Sequence, residues 1–330
     1  MIAKKVILYA SFFIGSISCN FASDTPSASG SVPSSSGTHN ELIIFCDDEL
    51  WEGDLGIVLI GELAKPVDGL PQAESHFDIT RIEYEDASDL FKQSKSILSI
   101  RLMEDTAAVL FTENQWAHPQ LLIQVVAPTV DELKRLLERH LPEIVSKFDA
   151  HNSSILLKRI KKHQRAVLPE SLQRMGVNSM TMASGFDPTL EKANMVVMRV
   201  DTRNSIQYLL AWETSSSRNF EPLDVPIHNL DSLLNNYFEG QQDGSYLAVE
   251  PQAPIVKSSQ VVGGRTAHVY RGLFRTEKGI GGGPFLLYSF ADENKGKTIN
   301  LCYIVYGPSM KKRKVMMELE ASLQSVVLNP

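Results

Sequence analysis

An α+β fold, with antiparallel sheets covered by helices, is predicted for the 330-residue chain by three observations. Strand-like runs of β-branched and aromatic residues recur from Glu41 to Tyr306, and helical periodicity is confined to a few segments. Short Gly/Asn-rich turns such as Asp292-Glu293-Asn294-Lys295-Gly296 favour hairpins over βαβ crossovers. The 43% hydrophobic content is ordinary and supports one large core or two smaller ones. The predicted layout is two tandem α+β halves, 41–176 and 177–330, meeting near Gly176, with one continuous domain as the alternative.

The first segment is a leader. Lys4 and Lys5 precede an apolar run from Val6 to Ile17, and Ser16-Ile17-Ser18 stands directly before Cys19. Residues 1–18 therefore read as an export signal peptide, because the apolar run is too short to cross a bilayer core of about 30 Å. Lipoprotein processing needs a cysteine at the new N-terminus, where its thiolate accepts a diacylglycerol and the freed amine is acylated. Cys19 is thus the lipidation candidate, and membrane lipid its partner. Ser16 departs from the Leu usual at that place in bacterial lipoproteins, and the alternative is an ordinary secretory leader cut after Ser18 or Ala22. Residues 19–40 are read as the attachment cysteine and a disordered Ser/Pro/Gly linker, since this composition buries too little to offset its ordering entropy. Such a linker would hold the body about 25 Å from its anchor, and at most about 70 Å.

Loss of Lys4 and Lys5 with the leader takes the formal charge from −7 to −9. That balance argues against nucleic acid as a partner, whose sequence-independent affinity comes from phosphate neutralisation. No later apolar run reaches the length of a membrane-spanning helix.

In the first half, strands are predicted at Glu41–Cys46, Phe77–Tyr84, Ser96–Leu102, Ala107–Thr112 and Gln120–Ala127, with a helix over Leu50–Leu63. Thr129 and Glu132 form a capping box that opens a long helix, where Leu133, Leu137, Leu141, Ile144 and Phe148 keep one face and Pro142 is a kink candidate. A second, basic helical stretch is expected from Ser153 to about Arg174. In the second half, strands are predicted at Asn178–Ser184, Met195–Asp201, Gln207–Glu213, Arg265–Arg275, Pro284–Ala291 and Thr298–Tyr306. Helices are predicted at Asp231–Phe238 and Lys311–Val327.

Motifs that carry chemistry are few. Asp47-Asp48-Glu49 lies between a strand and a helix, where Asp47 and Asp48 are the catalytic candidates; the competing reading is that Asp48 caps the helix. The Gly281-Gly282-Gly283 run is a candidate ligand loop, against a plain tight turn. Gly296-Lys297-Thr298 resembles the end of a P-loop but opens a strand, so it is read as a hairpin turn. His76, His118, His151, His163, His228 and His268 show no metal spacing, and nothing calls for a metal or cofactor. Cys46 and Cys302 are read as buried thiols rather than a disulfide. The basic runs Lys158–Lys162 and Lys311–Lys314 are read as solvated helix faces, with anionic headgroups as the alternative contact.

A set of short pieces then recurs in order: Pro33-Ser34-Ser35-Ser36-Gly37, Trp51-Glu52-Gly53, Gly69-Leu70-Pro71-Gln72 with Glu74, Trp116-Ala117-His118-Pro119-Gln120, Gly244-Ser245-Tyr246, Arg271-Gly272-Leu273-Phe274, Gly282-Gly283-Pro284-Phe285 and Tyr306-Gly307-Pro308. Together they resemble a family of uncharacterised Bacteroidetes lipoproteins that carry a domain of unknown function. Lys95-Ser96, Phe274-Arg275 and Gly281 depart from its pattern. The resemblance implies a lipid anchor and an envelope location, and it brings no activity.

The sequence thus predicts an exported, membrane-anchored cell-envelope lipoprotein facing the periplasm or cell surface. Its expected role is non-enzymatic, binding an envelope protein or ligand or serving as an accessory subunit. Two alternatives stand beside it. One is a periplasmic hydrolase using Asp47 or Asp48 with a histidine; the other is a small-molecule carrier, which needs a preformed pocket of about 300–1,000 Å³.

Overall fold

The computed structural model describes residues 32–165, 167–215, 225–292 and 296–329. The leader, Cys19 and the linker up to residue 31 lie outside the described residues, as do Glu293, Asn294 and Lys295 of the predicted turn. Pro33–Pro330 forms one compact unit.

The first half is built on strands β1 (Glu41–Phe45), β2 (Asp78–Ile82), β3 (Ser96–Leu102), β4 (Ala108–Glu113) and β5 (Leu121–Ala127). They form a five-stranded sheet in the order β2-β1-β3-β5-β4. Helices α1 (Asp48–Trp51) and α2 (Asp54–Leu63) follow β1, α3 (Asp89–Lys92) precedes β3, and α4 (Val130–Lys162) follows β5. Leu42, Ile44, Leu98, Ile100, Ile123 and Val125 on one face are buried beneath α2 and α4. Ile43, Phe45, Ile97 and Leu122 fill the opposite face against Phe91 and Trp116.

This sheet departs from the antiparallel expectation. β1 runs parallel to both β2 and β3, β3 parallel to β5, and only β4 is antiparallel. A parallel pair needs a crossover, which α1 and α2 supply between β1 and β2. The two-face burial of Leu42-Ile43-Ile44-Phe45 is the corresponding sequence signature.

The second half is dominated by antiparallel pairing. After α5 (Glu170–Arg174) come β6 (Val177–Ser179), β7 (Asp187–Lys192), β8 (Met195–Asp201), β9 (Ile206–Ser215), α6 (Val225–Tyr237), β10 (Tyr246–Val249) and β11 (Val256–Val262). The long strands β12 (Arg265–Glu277), β13 (Gly282–Asp292) and β14 (Lys297–Tyr306) lead to α7 (Arg313–Gln324) and β15 (Val327–Leu328). An eight-stranded sheet runs β10-β12-β13-β14-β9-β8-β7, with β11 on β12; β6 and β15 make a separate ribbon. One face packs on α5 and α7 through Leu172, Leu286, Tyr303, Leu319 and Leu323. The other packs on α6 through Leu230, Leu234, Leu287 and Ile304. The chain is therefore α+β with mostly antiparallel sheets, as its sequence predicts.

Three further differences have local causes. Gly53, in extended backbone, separates α1 from α2 where one helix is expected. α4 runs unbroken through Pro142 and absorbs the start of the second helical stretch. Residues 33–40, assigned to the linker by composition, dock on the first half. Ser36 N donates to Gln93 O (2.8 Å), Ser35 N to His118 O (3.0 Å) and His118 N to Pro33 O (2.8 Å). Backbone pairing fixes this segment, which a reading of side-chain hydrophobicity cannot register.

Candidate functional site

The two halves meet around helix α7. Its first turn offers backbone N–H groups that the sequence does not cap, since Lys312 at the N-cap position makes no side-chain cap bond. The cap comes from the other half. Glu74, 6% exposed, accepts from Lys312 N through Oε1 (2.7 Å) and from Arg313 N through Oε2 (3.1 Å).

Glu74 stands on an excursion between α2 and β2 that is closed on itself. Val67 N donates to Glu74 O (2.9 Å) and His76 N to Lys65 O (2.9 Å). Its turn lies on β12: a Cβ added to Gly69, at φ +75°, would stand 2.8 Å from Arg271 Cβ. Leu70 beside it packs on the core of the second half. Farther along α4, Ser153 Oγ donates to Gln324 Oε1 (2.6 Å), Arg159 pairs with Glu318, and Leu156 packs with Met317 and Ala321.

These contacts leave a cleft of about 770 Å³ between the excursion, α4, β11, β12 and α7. Val145, Leu156, Val256 and Met317 contribute apolar surface. Two arginines sit at its inner end. Arg271 pairs with Glu320, whose Oε1 also accepts from Tyr288 Oη (3.4 Å). That carboxylate holds the Arg271 pKa above its ordinary value although burial alone would lower it. Tyr288 Oη in turn accepts from Gln260. Arg313 is 6% exposed and its Nε has no hydrogen-bond partner. Burial lowers its pKa, against the opposing charges of Asp149 and Glu320. At the other wall, His76 Nε2 lies 2.8 Å from Asp149 Oδ1.

The residues singled out in sequence fall elsewhere. Asp47 occupies the N-cap of α1 without a side-chain cap bond, and Asp48 pairs with Arg81 of β2. The expected capping role of Asp48 is thus replaced by an ion pair. Gly282 and Gly283 lie in β13 opposite Arg275 and Phe274, so their backbones serve the ladder rather than a ligand. A Cβ at Gly283 would stand 1.9 Å from Val305 O, and one at Gly281 would stand 2.6 Å from the Tyr306 ring. The glycine run is therefore needed for close strand packing, and neither it nor Asp47 and Asp48 lines the cleft.

Cys46 and Cys302 are both buried free thiols. Burial pushes Cys46 up to about 12 and raises Cys302 as well, so neither supplies a thiolate nucleophile at neutral pH. Among the described residues, no group of three or more His, Cys, Asp or Glu is placed to hold a metal, and no helix is long and apolar enough to cross a membrane.

Sequence reasoning did not find the cleft. Lys312 and Arg313, read as part of a solvated face, are 4% and 6% exposed. Asp149 lies 73 residues from His76, a separation that no motif spans. The available signal was Glu74, an acid inside an otherwise turn-like segment, together with the Arg271-Gly272 piece against which its excursion packs.

Comparison with known proteins finds no match among curated proteins. A crystal structure of a protein from Bacteroides thetaiotaomicron VPI-5482 is similar at a TM-score of 0.27 and 10% identity, over 46% of this chain and 44% of that one. The chain thus spans less than half of that structure's length, and likeness at this level carries no argument. Family models cover most of the described residues. Residues 35–161 match a domain of unknown function, DUF8532, and residues 166–325 match another, DUF4837. The cleft between α4 and α7 is accordingly walled by both matched regions, and both matches are to uncharacterised domains.

Proposed function

We propose that this protein is a lipid-anchored, non-enzymatic binding protein of the cell envelope, and that the cleft between its two halves is where it holds its ligand. The observation that carries this reading is the cleft itself. Its volume of about 770 Å³ falls within the usual range for small-ligand sites, about 300–1,000 Å³. A few polar groups converge on an otherwise partly apolar wall.

The hydrolase alternative finds less support. His76 and Asp149 would supply a base and its orienting carboxylate, but the neighbouring Ser153 hydroxyl donates to Gln324. The carboxylate also engages His76 Nε2, the nitrogen that serves as base in the serine-protease arrangement. The carrier alternative merges with the binding reading, although the cleft is more polar than a carrier's apolar pocket.

Anchoring rests on the leader and Cys19. With residues 33–40 docked on the body, 13 residues separate Cys19 from Pro33. Their fully extended reach is about 45 Å, well below the reach estimated from composition. The body, and the cleft with it, would stay close to the bilayer surface. Fractionation of cells expressing Cys19→Ala tests the anchor: wild type sediments with membranes and the variant becomes soluble. Equal sedimentation of the two would remove lipidation as the cause of localisation.

A further inference from the structure

We infer that the ligand of this cleft is a short peptide with both ends free, its carboxylate seated on Arg313 and its ammonium facing the acidic wall; the inference rests on the binding role proposed above. Arg313 is more than nine-tenths buried, lines the cleft, and has an unpartnered Nε. That Nε is closed to solvent, so an anion in the cleft would meet the guanidinium at its terminal nitrogens, where a carboxylate fits the planar fork. Arg271 is already committed to Glu320, and Lys65, the other cation lining the cleft, is exposed to solvent, so among the described residues Arg313 is the buried lining cation without a paired carboxylate and one negative group suffices.

A dianionic phosphate suits the site poorly. Arg313 already experiences the opposing charges of Asp149 and Glu320, and those two carboxylates would repel a second negative charge. Asp149, although one of its oxygens is engaged by His76 Nε2, is 41% exposed and lines the cleft together with Glu62 and Asp68. These acids favour a ligand that carries a cation as well as a carboxylate. Val145, Leu156, Val256 and Met317 offer apolar contact for aliphatic side chains between the two ends.

Calorimetric titration of the full mature chain in detergent tests the assignment. The probes are the tripeptide Ala-Leu-Ala, its N-acetyl form, its C-terminal amide, the doubly capped form, and inorganic phosphate. The free tripeptide is expected to bind at least tenfold more tightly than either singly capped form, and phosphate to give no heat. Arg313→Gln should erase the difference between acid and amide, and Asp149→Asn should narrow the difference between free and acetylated amine. The Asp149 variant keeps the test open if the Arg313 variant does not fold. Equal affinity of all four peptides would overturn the charge assignment and leave the cleft's binding role standing, as would competition by phosphate. If no peptide binds, the inference falls. In that case a melting shift with the small-molecule fraction of the cell's own envelope preserves the binding role, and its absence removes that role too.

Discussion

At the scale of single residues, the informative side chains are buried polar ones whose partners come from distant sequence. Arg313 sits inside Lys311-Lys312-Arg313-Lys314, and read alone that run describes a solvated helix face. It is buried because Glu74 draws the start of α7 against the first half, a contact no local pattern encodes. His39 is a second case. Its Nδ1 is buried without a partner, and desolvation, helped by the nearby charges of Arg159, Lys95 and Lys314, lowers its pKa to about 4. The unfolded chain, with a histidine near 6.5, takes up the proton first as pH falls, so the full stabilisation present above pH 6.5 is lost progressively down to about pH 4. His39 belongs to the docked segment 33–40, where Lys95 Nζ donates to the Ser36 carbonyl (3.1 Å). His39→Gln should therefore flatten the fall in melting temperature between pH 6.5 and pH 4 relative to wild type. Parallel melting curves over that window would show that His39 is not charged at this expense.

At the scale of elements, strongly patterned segments were legible and weakly patterned ones were not. β3 and β8 lie where their β-branched runs place them. The Thr129 cap of α4 forms as its capping box predicts, with Glu132 N donating to Thr129 Oγ1 (3.3 Å). β11 was missed because Val256-Lys257-Ser258-Ser259-Gln260 is mostly polar; it is an edge strand whose order comes from pairing with β12. That omission hid one wall of the cleft. α7 was recognised from its periodicity, but not the fact that its N-terminal cap is supplied by the other half. Two charge-assisted bonds from a buried carboxylate to a helix N-terminus place a testable energy on this contact. Glu74→Ala should lower stability in chemical denaturation by about 2–3 kcal/mol, and Glu74→Gln, which keeps one acceptor, by about 1 kcal/mol. A loss below about 0.5 kcal/mol for the alanine variant would mean that the excursion is held chiefly by Gly69 and Leu70.

At the scale of the whole molecule, composition and turn chemistry indicated α+β and two tandem halves, but not how the halves join. The parallel pairing of β1, β2, β3 and β5 was obscured because α1 and α2 are short and separated at Gly53, so the crossover did not read as one helix. The sequence boundary near Gly176 also falls beyond the end of α4 at Lys162, close to where the two family matches part. Packing fixed the rest. The first half's excursion rests on β12 and caps α7, while α4 lies along α7 through Leu156, Met317 and Ala321. The cleft therefore exists only where both halves are present. Hydrogen exchange of the mature chain, with and without the small-molecule fraction of its own cell envelope, reads out whether both halves hold the ligand. The predicted result is simultaneous protection of the 65–76 excursion, residues 141–156 of α4, β11 and the first turn of α7. Protection confined to one half, or lying away from these segments, would contradict it.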